Sequence, residues 1–346
     1  MKKLTEKQRR HFIRKSSLKY KPSRKMTKAI VGEVVEIKLP ENFSLGMNFD
    51  NTVAVINQIR TIVLLKNGRV FIDFSDVSHI GISAAIVFVA ELHRCKNLKP
   101  GRGFLSVNGN YPGDPEVYRV LYNLNFYRLL GVPEIGSPPK LVDGSEIMLM
   151  TQSFVQIDPE RINTFKEIFT LPFEHLTDIA KRRMQGALIE AMANSFEHAF
   201  QDSTTYPRFG RRAWLSGYIN HDKREMLMII FDHGIGIPKS LPPRIIERLR
   251  PLLSLAVRPS DSQVIYAATQ LGRTSTEQSG RGKGFKTMRK FVDACSDAEL
   301  RVISDKGRFR YDGNDEFIDE DGVQSVGGTV ILLRVRHEES ELKAVQ

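Results

Sequence analysis

Strand-like and helix-like patterns of apolar residues alternate along this chain, and this alternation limits it to a layered α/β fold. Residues 31–39 alternate apolar and polar side chains, which is typical of a half-buried strand. Residues 50–65 instead place Val53, Ile56 and Ile59 at helical spacing, and residues 115–130 have the amphipathic pattern of a single helix. Similar strand and helix lengths follow one another up to residue 336. We therefore expect strands and helices to pack in layers around hydrophobic cores.

A stretch rich in proline and glycine, residues 131–140, separates the two halves of this pattern. Such a composition is typical of a domain boundary, and an ordered loop is the alternative, because residues 147–152 have the pattern of one further strand. When that strand is assigned to the first half, the domains span residues 31–155 and 156–337, followed by a tail over residues 338–346. A chain of 346 residues is long enough for two such cores.

The net charge of +11 is concentrated at the start of the chain. Residues 1–30 contain twelve Lys or Arg and a single acid, Glu6, whereas the rest of the chain has 39 bases and 39 acids. We expect a flexible basic arm that can contact nucleic acid, an acidic partner or anionic lipid in a salt-dependent way. A solvated tail without a partner is the open alternative. The neutral remainder argues against a nucleic-acid surface that covers the whole protein.

The cysteine content and the lengths of the apolar runs point to a cytoplasmic, soluble protein. Cys95 and Cys295 are far apart and have no neighbours at metal-ligand spacing, so we expect them to be reduced thiols. The longest apolar run, residues 82–90, is too short to span a bilayer. We therefore expect no membrane span.

In the second half, Glu190, Asn194 and His198 are spaced four residues apart and therefore lie on one face of a helix. A carboxylate and a carboxamide one turn apart suit a hydrated divalent cation, because the amide oxygen binds the ion while the carboxylate orients water and accepts its proton. The same spacing also occurs by chance on exposed helix faces, and His198 can equally serve in packing. This helix is mostly apolar, which is unusual for such a face.

The next segment is an apolar strand that ends in Asp232 and is followed by Gly234 and Gly236. The two glycines allow the backbone to turn tightly and to approach a ligand. An aspartate at that point can accept a hydrogen bond from the exocyclic amine of a purine. A capping aspartate in an ordinary turn is the alternative.

A third segment has glycines at alternate positions before a helix. They are Gly280, Gly282 and Gly284, and Lys283 lies between the last two. Free N–H groups at a helix N-terminus attract anions, so this segment predicts a phosphate-binding loop. Its spacing differs from that of a P-loop.

Together with Gly328-Thr329, which opens the last apolar strand, these segments occur in one order with regular separations. From about residue 164 to residue 336 the chain resembles the GHKL ATPase domain of sensor histidine kinases, DNA gyrase B, ninety-kilodalton heat-shock chaperones, MutL and anti-sigma serine kinases. All four conserved boxes of that family have a counterpart. The resemblance implies that residues 156–337 form a Bergerat α/β two-layer sandwich.

The resemblance also implies ATP and Mg²⁺ as ligands. It implies that Asn194 binds Mg²⁺, that Asp232 contacts adenine and that Glu190 occupies the position of the general base. It implies that residues 238–279 form a mobile lid. Further ATP contacts are implied at Gly234, Gly236, Gly280, Gly282, Lys283, Gly284 and Thr329.

In the first half, the sequence VFIDFSDVSHIGISAA over residues 70–85 precedes an apolar helix. This region resembles a STAS domain, the α/β layer fold of anti-anti-sigma factors. The D-S-S-G motif of those proteins aligns with residues 81–84, where only Ser83 is retained. Ser83 is therefore a candidate phosphoacceptor, and a helix N-cap is its alternative role. The loss of the Asp and Gly favours a domain used for protein contact.

Three functions remain open at this point. The first is an ATP-binding regulator in which slow hydrolysis switches protein contacts, with a STAS-domain protein or a sigma-factor-type regulator as partner. The second is an anti-sigma-type protein serine kinase that phosphorylates a STAS-domain serine, Ser83 included. The third is a scaffold that binds nucleotide without turnover. GHKL modules often dimerise, so a homodimer is compatible with each of them.

Overall fold

The computed structural model describes residues 34–98, 107–137, 146–170, 177–197, 199–200, 211–241, 247, 259–270 and 283–336. Helices and strands occur throughout these ranges, which confirms the predicted α/β class. The chain divides into two compact units between residues 139 and 140, within the stretch rich in proline and glycine and before the predicted boundary at residue 155. The predicted arm, residues 1–30, and tail, residues 338–346, lie outside the described residues.

The first unit contains a small parallel sheet with helical crossovers. Its strands are β1 (Val34–Lys38), β2 (Asn42–Phe43), β3 (Arg69–Asp73), β4 (His79–Ile80) and β5 (Val107–Gly109). Its helices are α1 (Phe49–Arg60), which continues as a π-helical turn over Thr61–Leu65, α2 (Ile82–Leu98), α3 (Pro115–Asn123) and α4 (Phe126–Leu130). Strands β1, β3 and β5 pair in that order, and β2 pairs with β4. All of these pairs are parallel, so each requires a crossover connection.

Aromatic side chains form the centre of the first unit's core. Phe88 of α2 packs against the rings of Phe43, Phe74 and Phe126 at centroid distances of 5.1, 6.1 and 6.0 Å. Aromatic pairs at these separations add to the free energy gained from burying the rings. Helix α2 is buried on nearly all sides, which explains why its sequence is apolar around most of its circumference.

The single helix predicted over residues 115–130 is interrupted. Helix α3 begins after Asp114, whose carboxylate accepts the backbone N–H groups of Glu116 and Val117 at 2.8 and 3.1 Å. The helical path breaks at Asn125, which has a left-handed backbone with φ of 65°. Asparagine adopts this conformation more readily than most residues, so the break has a local cause.

The second unit is built on a seven-stranded antiparallel sheet. Its strands are β6 (Glu146–Phe154), β7 (Ala213–Asn220), β8 (Glu225–Asp232), β9 (Asp297–Ser304), β10 (Gly307–Tyr311), β11 (Glu316–Ile318) and β12 (Thr329–Arg336). They pair in the order β11-β10-β9-β12-β8-β7-β6. Strand β6 therefore belongs to this sheet and not to the first unit, because it pairs with β7.

Helices cover one face of this sheet. They are α5 (Pro159–Thr170), α6 (Asp178–Glu197), α7 (Ile237–Ser240), α8 (Asp261–Gln270) and α9 (Lys283–Val292). Alternate strand residues such as Met228, Leu300 and Leu333 are fully buried in one core with Leu188 of α6 and Met288 of α9. Since successive strand residues point to opposite faces, this core lies between one face of the sheet and the helices. The described part of the unit thus contains two layers.

The acidic segment over residues 312–321, which its composition predicts to be a solvated hairpin loop, has a structural role at its end. Strand β11 lies within the segment and pairs with β10. Beyond it, the Asp321 carboxylate accepts the backbone N–H groups of Asp261 and Ser262 at 2.8 and 2.9 Å, and the Ser262 hydroxyl at 2.8 Å. It therefore caps helix α8 from a distant part of the sequence.

Within the described ranges, no helix has the length and apolar character required to cross a membrane.

We predict that Asp321→Ala lowers the free energy of unfolding of the second unit by about 1 kcal/mol, because the N–H groups of Asp261 and Ser262 at the start of α8 lose their acceptor. Trp214 is the single tryptophan of the chain and lies in β7, so its fluorescence during a urea titration reports on this unit. Asp319→Ala is the matched control, since Asp319 is a neighbouring exposed acid. Equal losses in both variants would contradict the capping role.

Candidate functional site

Asp232 is a buried carboxylate at the end of strand β8. Its side chain is 4% exposed, and the residue stands opposite Ala213 of β7 and Thr329 of β12 in the sheet register. Its Oδ1 accepts the backbone N–H of Gly234 at 2.8 Å, and its Oδ2 accepts the hydroxyl of Ser195 at 3.0 Å. The backbone N–H of Thr329 also donates to this carboxylate. Three separate segments of the chain therefore stabilise one acid.

Burial raises the pKa of Asp232 from its ordinary value to about 7, although the hydrogen bonds from Gly234, Ser195 and Thr329 oppose this increase. The Ser195 hydroxyl lies within reach of Asp232 Oδ2 and also of the Ala191 backbone oxygen, at 3.2 Å. With one hydrogen, it can donate to an ionised Asp232, or accept from a protonated Asp232 while it donates to Ala191. The site therefore accommodates both protonation states of the acid.

The loop after Asp232 packs closely against the residues that follow α6. The N–H of Ile235 donates to the Ala199 backbone oxygen at 2.8 Å, and a Cβ atom at Gly234 would lie 2.3 Å from the Ala199 Cβ. A side chain at position 234 would therefore force this loop away from α6. Gly236 has a φ of 85° and leads into α7.

Helices α6 and α9 meet at Glu190 and Asn194. Both side chains are half-buried on α6, one turn apart as the sequence predicts. A Cβ atom at Gly284 would lie 3.0 Å from Asn194 Nδ2 and 3.1 Å from Glu190 Oε2. The backbone of the first turn of α9 therefore contacts the two polar side chains directly. This brings a carboxylate, a carboxamide and the N-terminus of a helix together.

The hydroxyl of Ser304 joins three segments near Asp232. It lies 2.9 Å from the Thr329 hydroxyl, and it accepts the backbone N–H of Ile237 at 2.8 Å. Ser304 is fully buried at the end of β9. No sequence motif pointed to Ser304, because its role depends on strand pairing. Ser195 was missed as well, although it directly follows Asn194.

Several predicted features differ from the structure or are not covered by it. Gly280, Gly282 and His198 lie outside the described residues, and Lys283 is the first residue of α9. Of the predicted lid, residues 238–279, the structure describes residues 238–241, 247 and 259–270. Helix α8 lies in the last of these ranges, and its Ile265 and Ala268 belong to the hydrophobic core. Among the described residues, no cluster of three or more His, Cys, Asp or Glu could hold a metal ion.

Ser83 is half-buried in the first turn of α2, in the first unit. The backbone N–H of Ala85 donates to the oxygen of Gly81, so Gly81 and not Ser83 is the N-cap of this helix. The predicted capping role for Ser83 is therefore wrong.

Comparisons of this chain with models of known protein families and with curated proteins find no match.

We predict that the Asp232→Asn variant gains stability relative to the wild type as pH rises from 5 to 8. In the wild type the folded-state pKa of about 7 lies above the unfolded-state value, so the folded protein binds the extra proton between them. The stability that this bound proton adds to the wild type is fully present below about pH 4 and is lost as pH rises through about 7. The variant has no such proton to lose.

The measurement is urea unfolding of both proteins across this pH range, followed by Trp214 fluorescence. We expect the difference in the free energy of unfolding to change by a few kcal/mol in favour of the variant. Asp222→Asn, in the exposed turn between β7 and β8, is the matched control and should show no such trend. Parallel pH profiles for the wild type and Asp232→Asn would contradict the raised pKa.

Proposed function

We propose that the second unit binds Mg²⁺-ATP as a GHKL-class domain and that slow hydrolysis switches its protein contacts. The observation that carries this proposal is the direct contact between the first turn of α9 and the pair Glu190 and Asn194. Two oxygen-bearing side chains and the N-terminus of a helix form a suitable environment for a metal ion and the phosphates that it binds.

In this proposal Asp232 accepts a hydrogen bond from the exocyclic amine of adenine. Two observations support this contact with adenine. The carboxylate is buried, and it lies close to Thr329, whose hydroxyl is 2.9 Å from the Ser304 hydroxyl. The loop through Gly234 and Gly236 has no side chains at these two positions, so its backbone lies close to Ala199 and Ser304 beside the carboxylate. An ionised Asp232 is the better acceptor, so its pKa affects affinity.

The phosphates in this proposal lie at the N-terminus of α9. Gly284 provides backbone N–H groups without a side chain, and Gly280, Gly282 and Lys283 extend the cradle along the chain. Asn194 binds Mg²⁺ through its amide oxygen. Mg²⁺ commonly takes only one or two protein ligands together with water and substrate phosphates, so the residues present fit this ion. Bound Mg²⁺ would neutralise charge on the phosphates during transfer.

Glu190 is the proposed general base. Its Oε2 would be 3.1 Å from a Cβ at position 284, and it therefore lies beside the proposed phosphate cradle. From that position it can orient the attacking oxygen, whether of water or of a serine hydroxyl, and accept its proton. The same base thus serves a hydrolase or a serine kinase.

The first unit in this proposal is a STAS-like domain that contacts a protein partner, such as a STAS-domain protein or a sigma-factor-type regulator. Its parallel sheet and the helix that follows residue 81 support the comparison. A protein serine kinase is the second candidate function, because Ser83 stands in the first turn of α2 and is only half-buried.

We predict that Glu190→Ala abolishes turnover and leaves ATP binding largely intact, because the base acts on the attacking oxygen and not on the nucleotide. The measurement is the release of labelled phosphate and the labelling of protein from radiolabelled ATP with Mg²⁺, beside ATP binding by calorimetry. Glu160→Ala, an exposed carboxylate at the start of α5, is the control and should behave as the wild type.

The outcomes of this experiment separate the candidate functions. Free phosphate without labelled protein supports the ATPase switch. Labelled protein that disappears in Ser83→Ala supports the serine kinase. ATP binding without either signal supports a scaffold, whereas no ATP binding, or equal turnover in Glu190→Ala, would contradict the proposal.

We also predict that Gly284→Ala weakens ATP binding by about tenfold or more, because a methyl group about 3 Å from Asn194 Nδ2 and Glu190 Oε2 must shift these two side chains from their positions. Gly186→Ala is a matched control on the same helix pair, since a Cβ there would contact Thr287 at 3.2 Å, away from Glu190 and Asn194. Calorimetric titration with ATP and Mg²⁺ measures both. Equal affinities in the wild type and Gly284→Ala would contradict the proposed cradle.

A further inference from the structure

The first unit contains a half-open cavity of about 480 Å³ beside its edge strand β5. Its walls come from β3, β5, α2, α4 and the segment over residues 131–136, all within this unit. Most of the lining is apolar, and the aromatic rings of Phe74, Phe126, Tyr111 and Tyr127 form part of it. A cavity of this size and composition is typical of a site for a small molecule.

Three tyrosine rings pack together beside this cavity, and two of their hydroxyl groups donate hydrogen bonds to the segment over residues 131–136. The Tyr127 ring lies 5.5 Å from the Tyr111 ring and 5.3 Å from the Tyr118 ring. The Tyr111 hydroxyl donates to the Pro133 backbone oxygen at 2.5 Å, and the Tyr118 hydroxyl donates to the Gly136 backbone oxygen at 3.0 Å. These two bonds hold the segment over residues 131–136 against the cavity.

The Tyr127 hydroxyl has no hydrogen-bond partner among the described residues, although the residue is only 3% exposed. A buried hydroxyl without a partner destabilises a protein, and phenylalanine would fill the same space without that penalty. The Tyr127 ring lines the cavity, whereas its hydroxyl is fully buried and has no surface that the cavity reaches.

A cation lies in the same wall. The Lys96 ammonium group donates to the Leu130 backbone oxygen at 2.8 Å. Burial lowers the pKa of Lys96, because the charged form is less well solvated there than in water. A negative charge placed beside this amine would stabilise its charged form.

We propose that this cavity binds an apolar carboxylate, with its body between the aromatic and aliphatic walls and its carboxylate near Lys96. The ligand can be a fatty acid or an aromatic acid, because both present an apolar body and a single anionic group. The proposal concerns the first unit alone and does not depend on ATP binding by the second.

The test is calorimetric titration of the full chain with three probes. They are 2-naphthoate, decanoate below its micellar concentration, and 2-naphthamide, which has the shape of 2-naphthoate but no charge. We expect at least one of the two carboxylates to bind at least about tenfold more tightly than the amide, because the amide lacks the interaction with Lys96. The tighter of the two shows whether the natural ligand is of the aromatic or the acyl type.

Two variants locate the site. Lys96→Met should weaken binding of the carboxylate by about tenfold, and Lys66→Met, which changes an exposed lysine of the same unit, should not alter it.

No binding of either carboxylate at millimolar concentration would overturn the proposal. The proposal would also be overturned if 2-naphthoate and 2-naphthamide bound with equal affinity and decanoate bound no more tightly than 2-naphthamide. Carboxylate binding that Lys96→Met does not weaken would place the ligand elsewhere and would also overturn the proposal.

Discussion

The carboxyl group of Asp232 is buried at the end of an apolar strand, and the surrounding site is arranged to satisfy it. A buried acid without hydrogen-bond partners is strongly unfavourable, so the fold must deliver donors to this one point. They come from α6 through Ser195, from the loop after β8 through Gly234, and from β12 through Thr329. Since these donors are far apart in sequence, Asp232 is satisfied only when the sheet and its covering helix are correctly assembled. Burial raises the pKa of Asp232 to about 7, although these donors oppose the increase.

Close approaches between backbone segments position the other groups of the site. Gly234 allows the loop after β8 to contact Ala199, and Gly284 allows the first turn of α9 to contact Glu190 and Asn194. A Cβ atom at Gly234 would push the loop away from Ala199, and one at Gly284 would crowd the side chains of Glu190 and Asn194. Glycine is therefore required here for space, since the two approaches join residues 35 and about 90 positions apart in the chain.

Much of the fold could be predicted from the sequence, because hydrophobic periodicity is a local property. Strand β8, helix α6 and helix α9 lie close to their predicted positions, since each contains a clear two-residue or helical period. The periodicity could not predict the break at Asn125, because the apolar spacing continues across it and only the backbone conformation changes. Nor could it assign β6 to a unit, because a strand pattern does not specify its partner. The capping of α8 by Asp321 depends on a contact across about sixty residues, which composition alone presents as a solvated acidic loop.

By itself, the sequence determined which residue types are available for chemistry and, through helical spacing, that Glu190 and Asn194 share a face of α6. It also determined that Asp232 ends an apolar strand, since that depends only on neighbouring residues. Only the tertiary structure decided that Gly284 meets this face of α6, that Ser195 and Ser304 support Asp232 and Thr329, and that the Tyr127 hydroxyl is left without a partner beside a cavity. These features depend on distances between segments remote in the chain, and such distances are set by the packing of the whole core and not by any local pattern.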